Sequence, residues 1–213
     1  MRPLVVILSS PSGAGKTTIA RAVCAGREDV AFSISATTRS PRPGERDGVD
    51  YYFLSREEFL RRRDGGEFLE WAGYSGHLYG TLEAEVDRHV AGGQHVILDI
   101  EPQGALQVRE RRDDVVAIFV LPPSAAALRS RLEGRSSERP EEMAHRLVHA
   151  RWELQQAAGY DFVVVNDELE EAVDAVRAVL NGEPHRVTQV EDLEQTIETL
   201  RRDLATLAQA ITQ

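Results

Sequence analysis

The chain has 213 residues, of which 42% are hydrophobic and 28% charged, a composition that excludes a disordered or fibrous protein and suits one large domain or a domain with insertions. Its formal net charge of -10 argues against nucleic-acid or membrane partners, so any anionic ligand must be held by a local basic cluster. The single cysteine, Cys24, and the lack of a signal peptide or apolar membrane span lead us to expect a cytoplasmic protein.

The first predicted elements are a short buried strand, a glycine-containing loop and a helix. An apolar run at residues 4–8 leads into residues 10–17, which fit the phosphate-loop pattern of four variable positions followed by Gly-Lys-Thr. Ser10 stands where the strict form of the pattern has glycine. Gly13 and Gly15 would let successive main-chain N–H groups turn inward and form an anion nest at the helix N-terminus. The sequence therefore predicts a phosphate-binding loop here.

The only lysine of the chain, among 25 basic residues, lies in this loop. A background so rich in arginine would place arginine at an indifferent position, so Lys16 indicates a need for a compact ammonium group. We expect Lys16 to neutralise the β- and γ-phosphates of a nucleotide, and the Thr17 hydroxyl to coordinate Mg²⁺.

The alternation of short apolar runs with helical stretches continues along the chain. It predicts an α/β fold, a mostly parallel sheet with helices on both faces. The later predicted strands are residues 95–100, 115–121 and 162–165. Asp99 ends one of them, at the sheet edge where such folds bind ligands, and is a candidate to hold a metal-bound water; the alternative is a strand-end acid bonded to loop amides.

Three regions depart from this alternation. Residues 33–93 are rich in turns and aromatic residues and are predicted to be an inserted subdomain, which leaves residues 1–32 and 94–184 as the core. Residues 134–142 join two arginine-rich helical segments and are predicted to be a mobile surface flap, within a flexible lid of about residues 124–150.

The third region, residues 185–213, is predicted to be a C-terminal amphipathic helix. Its apolar residues are spaced four, three, four, three and four apart, as in a heptad seam that covers fewer than three heptads. Such a seam either pairs two subunits in a homo-oligomer or lies on the chain's own domain. The seam residues are Leu193, Ile197, Leu200, Leu204, Leu207 and Ile211.

Several further segments together resemble the guanylate kinase family in order and spacing, and the similarity covers roughly residues 4–183. The resemblance implies a P-loop kinase with an inserted GMP-binding subdomain and a flexible lid. The matching segments are SATTRSPRPGE at 35–45, GVDYYF at 48–53, GEFLE at 66–70, YGT at 79–81, ILDIE at 97–101, PPS at 122–124, RLEGR at 131–135, RL at 146–147 and DFVVVND at 161–167.

The expected base contacts agree with the chemistry of guanine, whose edge offers two N–H donors beside one carbonyl acceptor. The resemblance places Glu70 on the two donors and Ser35 and Thr81 toward O6. Adenine presents the opposite pattern and would leave these groups unpaired. Asp99 and Glu101 are also expected to bind GMP. Glu101 replaces the aspartate common in the family, so either its loop shifts or its contact with guanine becomes indirect.

By the same resemblance, two arginines and two tyrosines bind the GMP phosphate, the arginines through forked charge-assisted bonds and the tyrosines through O–H donors. These residues are Arg39, Arg42, Tyr51 and Tyr79.

The resemblance also implies the residues on the ATP side, with Asn166 near the adenine. The expected ATP-binding residues are Ser12, Gly13, Ala14, Gly15, Lys16, Thr17, Thr18, Arg131, Arg135 and Asn166. The phosphate group of GMP is already largely dianionic at pH 7, so no general base is needed to activate its attacking oxygen. Catalysis then depends on alignment and on positive charge, which Lys16, Arg39, Arg135 and Arg146 are expected to supply. The implied reaction is Mg²⁺-dependent phosphoryl transfer from ATP to GMP.

Two alternatives remain at the level of sequence. One is a related P-loop kinase acting on a ribose bisphosphate or another small phosphorylated acceptor. Such an enzyme would not need the guanine contacts expected of Glu70, Ser35 and Thr81. The other is a binding module, because guanylate-kinase-like domains can lose catalysis and bind phosphorylated peptides. Such modules lose phosphate-loop residues, whereas Lys16 and Thr17 are present here.

Overall fold

The structure of the chain is a computed structural model that describes residues 2–74, 76–133, 140–184 and 190–212. Arg135 and most of the predicted flap lie outside these ranges. None of the helices within them is both long enough and apolar enough to span a membrane.

Strands and helices alternate along most of the chain. The strands are β1 (Val5–Ser9), β2 (Val30–Phe32), β3 (Ala36–Thr37), β4 (Tyr52–Phe53), β5 (Phe68–Tyr74), β6 (His77–Leu82), β7 (His95–Asp99), β8 (Val115–Leu121) and β9 (Phe162–Val165). The helices are α1 (Lys16–Cys24), α2 (Arg56–Asp64), α3 (Glu83–Ala91), α4 (Pro102–Arg111), α5 (Ala125–Glu133), α6 (Pro140–Leu154), α7 (Leu169–Leu180) and α8 (Leu193–Thr212), with a 3-10 turn at Gln155–Gly159.

The chain forms two compact units, and β1 passes from one to the other. The first unit comprises Met1–Ile7 and Gly26–Val116, and the second comprises Leu8–Ala25 and Ala117–Gln213. In the first unit the strand order is β2-β7-β1, with β2 and β7 parallel; in the second it is β1-β8-β9, with β8 and β9 parallel. Every residue of β1 is buried, as expected of a parallel strand covered on both faces. The predicted α/β fold is confirmed.

The first unit also holds a second sheet, within the residues predicted to be an insertion. Its strand order is β4-β3-β6-β5, and β5 and β6 form an antiparallel hairpin. A small core lies against it, in which the rings of Phe59 and Phe68 stack with centroids 4.4 Å apart. That residues 33–93 form a separate subdomain stays a prediction.

In the second unit, the apolar seam of α8 packs inside its own chain. Ile197, Leu200 and Leu204 are buried in one hydrophobic cluster with Leu147 and Leu154 of α6. The other seam residues, Leu193, Leu207 and Ile211, pack against the same cluster. Of the two sequence alternatives, the helix that lies on its own domain is therefore the one found. A subunit contact through this helix would have to use its other face.

Candidate active site

The phosphate loop is built from glycines in the left-handed backbone region. Gly13 and Gly15 have φ of 91° and 98°, values that favour glycine over residues with a side chain. Gly15 directly precedes the first residue of α1, Lys16, and has no side chain with which to cap the helix. The N-terminus of α1 thus presents main-chain N–H groups and the positive end of the helix dipole, which suits a phosphate.

Asn166, which follows β9, holds the loop from the side. Its Nδ2 donates to the carbonyl oxygen of Ala14 at 2.7 Å, and its own N–H donates to the Leu121 carbonyl at 2.8 Å. Arg131 Nη2 donates to the Asn166 carbonyl at 3.0 Å. A Cβ atom at Gly15 would overlap Asn166 Nδ2, so this close approach requires a glycine. The described contact of Asn166 is thus with the phosphate loop itself, while its expected place near adenine stays a prediction.

A second predicted arginine also reaches the loop. Arg146 of α6 donates from Nη2 to Ser12 Oγ at 2.9 Å. The structure therefore brings a predicted catalytic guanidinium to a predicted ATP-binding residue 134 positions away. At the start of α1, Thr17 and Thr18 are exposed.

In the first unit, Glu70 and Thr81 form a buried pair. Glu70 is 5% exposed and Thr81 is 1% exposed, and the Thr81 hydroxyl donates to Glu70 Oε1 at 2.7 Å. The two residues lie opposite each other on β5 and β6, next to a β-bulge. Phe68 pairs with Leu82 while Glu70 pairs with Thr81, so Leu69 is the extra residue on β5. Bulges of this kind re-aim side chains beside functional sites.

The predicted phosphate-binding arginine Arg39 is held by an acid that the sequence analysis did not assign. Arg39 donates to both carboxylate oxygens of Glu45, each at 2.9 Å, and the main-chain N–H of Arg42 donates to Glu45 Oε2 at 2.7 Å. The hydrogen bond with Arg39 lowers the pKa of Glu45 to about 2, and the same bond raises the pKa of Arg39. The signal was present in the sequence, since Glu45 is the first acid after the two arginines.

The two predicted phosphate-binding tyrosines lie beside this arginine. The Arg39 guanidinium lies 5.2 Å from the Tyr51 ring centroid, and the Tyr51 and Tyr79 rings meet edge to face at 6.2 Å. A hydrogen bond from Arg39 to Tyr79 also contributes to the raised pKa of Arg39. Burial raises the pKa of Tyr51, and the charge of Asp99 adds to this effect. The Tyr51 phenol therefore stays protonated at neutral pH and can donate to an anion.

For the remaining predicted residues, the structure gives their positions relative to the strands and helices and the hydrogen bonds of their main chain. Asp99 ends β7 and is partly buried, and Glu101 immediately precedes α4, where its carbonyl accepts from Gly104 at 2.9 Å. Ser35 is partly buried, and its carbonyl accepts from the N–H of Tyr52 at 2.9 Å. Direct contact of these side chains with guanine stays a prediction.

Comparisons with known proteins identify the family. The guanylate kinase family model matches residues 1–183. The chain is 45% identical over 192 residues to the guanylate kinase of Thermotoga maritima, covering 90% of this chain and 93% of that protein. It is 49% identical over 208 residues to the guanylate kinase of Thermus thermophilus, covering 96% and 92%.

Among solved structures, the crystal structure of guanylate kinase from Anaplasma phagocytophilum matches with a TM-score of 0.70 and 34% sequence identity. The match covers 92% of this chain and 94% of that chain. With a family model across most of its length and relatives near half identity, the chain belongs to the guanylate kinase family, the ATP:GMP phosphotransferases among the nucleoside monophosphate kinases.

Proposed function

We propose that the chain transfers the γ-phosphoryl group of ATP to GMP in a reversible, Mg²⁺-dependent reaction that gives ADP and GDP. The observation that carries the choice of acceptor is the buried pair of Glu70 and Thr81. The guanine and monophosphate residues lie in the first unit, and the phosphate loop lies in the second.

The Glu70–Thr81 pair supports guanine over adenine. An ionised carboxylate only accepts hydrogen bonds and has about four lone-pair positions, of which the Thr81 hydroxyl uses one. N1–H and the N2 amine of guanine are donors of the kind that such a carboxylate accepts. Adenine presents an acceptor at N1, so a buried carboxylate facing it would be left unpaired, at a cost of about 1–3 kcal/mol or more.

The arginine and tyrosine cluster supports a monophosphate as the second ligand group. Arg39 is fixed by Glu45, and Tyr51 and Tyr79 stand beside it as O–H donors. The charge of the exposed Arg42 also lowers the pKa of Glu45, so a second guanidinium lies near this acid. A dianionic phosphate matches this set of donors, because Glu45 offsets only one of the two arginine charges.

The phosphoryl transfer itself needs alignment and positive charge. A phosphate oxygen of GMP is the nucleophile. The second pKa of the phosphate group, near 6, leaves that group mostly dianionic at pH 7. Lys16 and the loop N–H groups neutralise the β- and γ-phosphates, and Arg146 brings further positive charge to the loop through Ser12. No side chain has to abstract a proton.

The oxygen donors present fit magnesium. The Thr17 hydroxyl is exposed at the start of α1, and the Asp99 carboxylate is partly buried at the end of β7. Each is a hard oxygen ligand of the kind that Mg²⁺ prefers. A bound Mg²⁺ would supply positive charge that offsets the negative charge of the phosphate groups. With intracellular nucleotides as substrates, we also propose the cytoplasm as the place of action.

A nucleotide-acceptor assay tests the proposal. ADP formation is measured with GMP, AMP and a ribose bisphosphate as acceptors, in the native chain and in Glu70→Gln. We expect turnover with GMP far above the other two, and a GMP KM raised by roughly tenfold or more in Glu70→Gln. Glu67→Gln makes the same charge change beside β5, at an acid paired with Arg61, and serves as the control. A native preference for the ribose bisphosphate would establish the alternative kinase.

A further inference from the structure

A glycine in the first turn of α4 lies against the carboxylate of Glu70. A Cβ atom at Gly104 would be 2.6 Å from Glu70 Oε2 and 3.1 Å from Glu70 Cδ. Gly104 is buried and does not have a positive φ, so its backbone conformation is open to any residue. Alanine in a helix interior is favoured over glycine by about 1 kcal/mol, so the helix itself gives no reason for this glycine.

The backbone on both sides of this contact is held in place. Gln107 of α4 exchanges two hydrogen bonds with the main chain of Trp71, at 3.2 Å and 2.9 Å. Arg111, one turn further along α4, donates to the carbonyl of Phe68 at 2.8 Å. These bonds fasten α4 to β5 on either side of Glu70. A side chain at position 104 therefore cannot be accommodated by moving the helix away without breaking them.

The carboxylate is also restrained from its other side. Glu70 is buried, and its Oε1 accepts the Thr81 hydroxyl at 2.7 Å. With both backbones fixed, an added methyl group must displace the Glu70 side chain and separate it from Thr81. The first turn of a helix also favours a carboxylate electrostatically, so the displaced group would lose this interaction as well.

We propose that Gly104 is a positioning residue for guanine recognition: by lacking a side chain, it lets the Glu70 carboxylate lie against the first turn of α4 in the orientation that reads the base. The inference rests on the proposed function, because it takes Glu70 as the group that accepts from guanine. Gly104 makes no contact with substrate in this role, and its N–H is used by the carbonyl of Glu101.

Gly104→Ala tests the inference through kinetic constants and stability measured together. We expect the KM for GMP to rise by roughly tenfold or more and the KM for ATP to stay unchanged, with only a small fall in Tm, because the better helix propensity of alanine offsets part of the lost Glu70–Thr81 bond. A role in packing alone would lower Tm and would not separate the two substrates. Gly159→Ala is the matched control, because a Cβ atom there would meet no heavy atom within 4 Å. A GMP KM within twofold of native in Gly104→Ala would overturn the inference.

A double variant shows whether Gly104 acts through Glu70. In the Glu70→Gln background, guanine recognition is already impaired, so adding Gly104→Ala should raise the GMP KM much less than it does in the native chain. An equal fold-change in both backgrounds would mean that Gly104 acts independently of Glu70, contrary to the inference. If instead Glu70→Gln itself leaves GMP use unchanged, it is the proposed function that fails.

A second pairing covers the case in which Gly104→Ala unfolds the protein. Glu70→Asp withdraws the carboxylate by one methylene and makes room for the methyl group. Combined with Gly104→Ala, it should restore Tm to within a few degrees of Glu70→Asp alone. A double variant as unstable as Gly104→Ala would show that the methyl group collides with something other than Glu70, and the inference would be wrong.

Discussion

The side-chain amide of Asn166 donates a hydrogen bond to the main-chain carbonyl of Ala14, with an N–O distance of 2.7 Å. In a trans peptide the C=O and the following N–H point in opposite directions, so this bond turns the N–H of Gly15 away from Asn166. The residue that follows β9 thus sets the orientation of a peptide unit in the phosphate loop.

Replacing Asn166 by Asp should damage the loop selectively. The change puts an oxygen where the donor stood, so two acceptors face each other in a buried site. We expect the free energy of unfolding to fall by about 1–3 kcal/mol and the KM for ATP to rise more than that for GMP. Urea unfolding and initial rates measure the two effects. Asn181→Asp makes the same substitution at the exposed C-terminus of α7, and comparable losses in both variants would refute the assigned role.

Lys16 should tolerate neither the loss of its charge nor replacement by arginine. We expect Lys16→Met to lower kcat by roughly 100-fold or more while far-UV circular dichroism stays native, and Lys16→Arg to recover little of this loss. Arg21→Met removes a positive charge from an exposed position of the same helix and should leave turnover near native. Native turnover in Lys16→Met would contradict the phosphate-loop assignment. High turnover in Lys16→Arg would contradict only the need for a compact ammonium.

The stability of the first unit should depend on the protonation of His95. His95 Nδ1 accepts from the N–H of Leu4 at 3.1 Å, and burial lowers the pKa of this imidazole below its usual 6.5. The unfolded chain therefore binds the proton more readily than the folded one. The stabilisation is complete above pH 6.5 and is lost as the pH falls through 6.5 toward the lower folded pKa.

His95→Asn provides the measurement, because the asparagine carbonyl can accept from Leu4 without titrating. The free energy of unfolding is compared between about pH 7.5 and about pH 5 in both proteins. Carboxylates contribute equally to the pH dependence of both proteins, so the difference between the two pH dependences measures the contribution of His95. We expect the native chain to lose more stability than the variant on acidification. Parallel pH dependences would show that His95 does not contribute.

Shortening one side chain in the apolar seam of α8 should destabilise the fold of the single chain. Leu204 is fully buried in the cluster with α6, and Leu204→Ala is expected to lower the free energy of unfolding by about 2–5 kcal/mol. Leu106→Ala, at a leucine 60% exposed on α4, should change it by no more than about 0.5 kcal/mol. If light scattering showed that Leu204→Ala lowers the molecular mass instead and leaves monomer stability intact, the seam would be a subunit interface.

The parts of the site that could be predicted from sequence are those encoded locally. The phosphate loop needs glycines and a lysine at fixed spacing before a helix, and all of them lie within eight positions of one another. The parts that could not be predicted depend on contacts between distant residues. Asn166 meets Ala14 across 152 positions of sequence, and Gly104 meets Glu70 only because α4 packs on β5. The sequence of α8 was ambiguous for the same reason, since its heptad spacing fits packing on a partner subunit as well as packing on its own domain.

The bulge at Leu69 means that the number of residues in β5, as well as their identity, decides which way Glu70 faces. Residues two apart on a regular strand share a face, but the extra residue lets Phe68 lie opposite Leu82 on one face and Glu70 lie opposite Thr81 on the other. One strand thus supplies a side chain to the small core and, two positions later, a carboxylate to the buried pair, which a regular strand of the same sequence would not do.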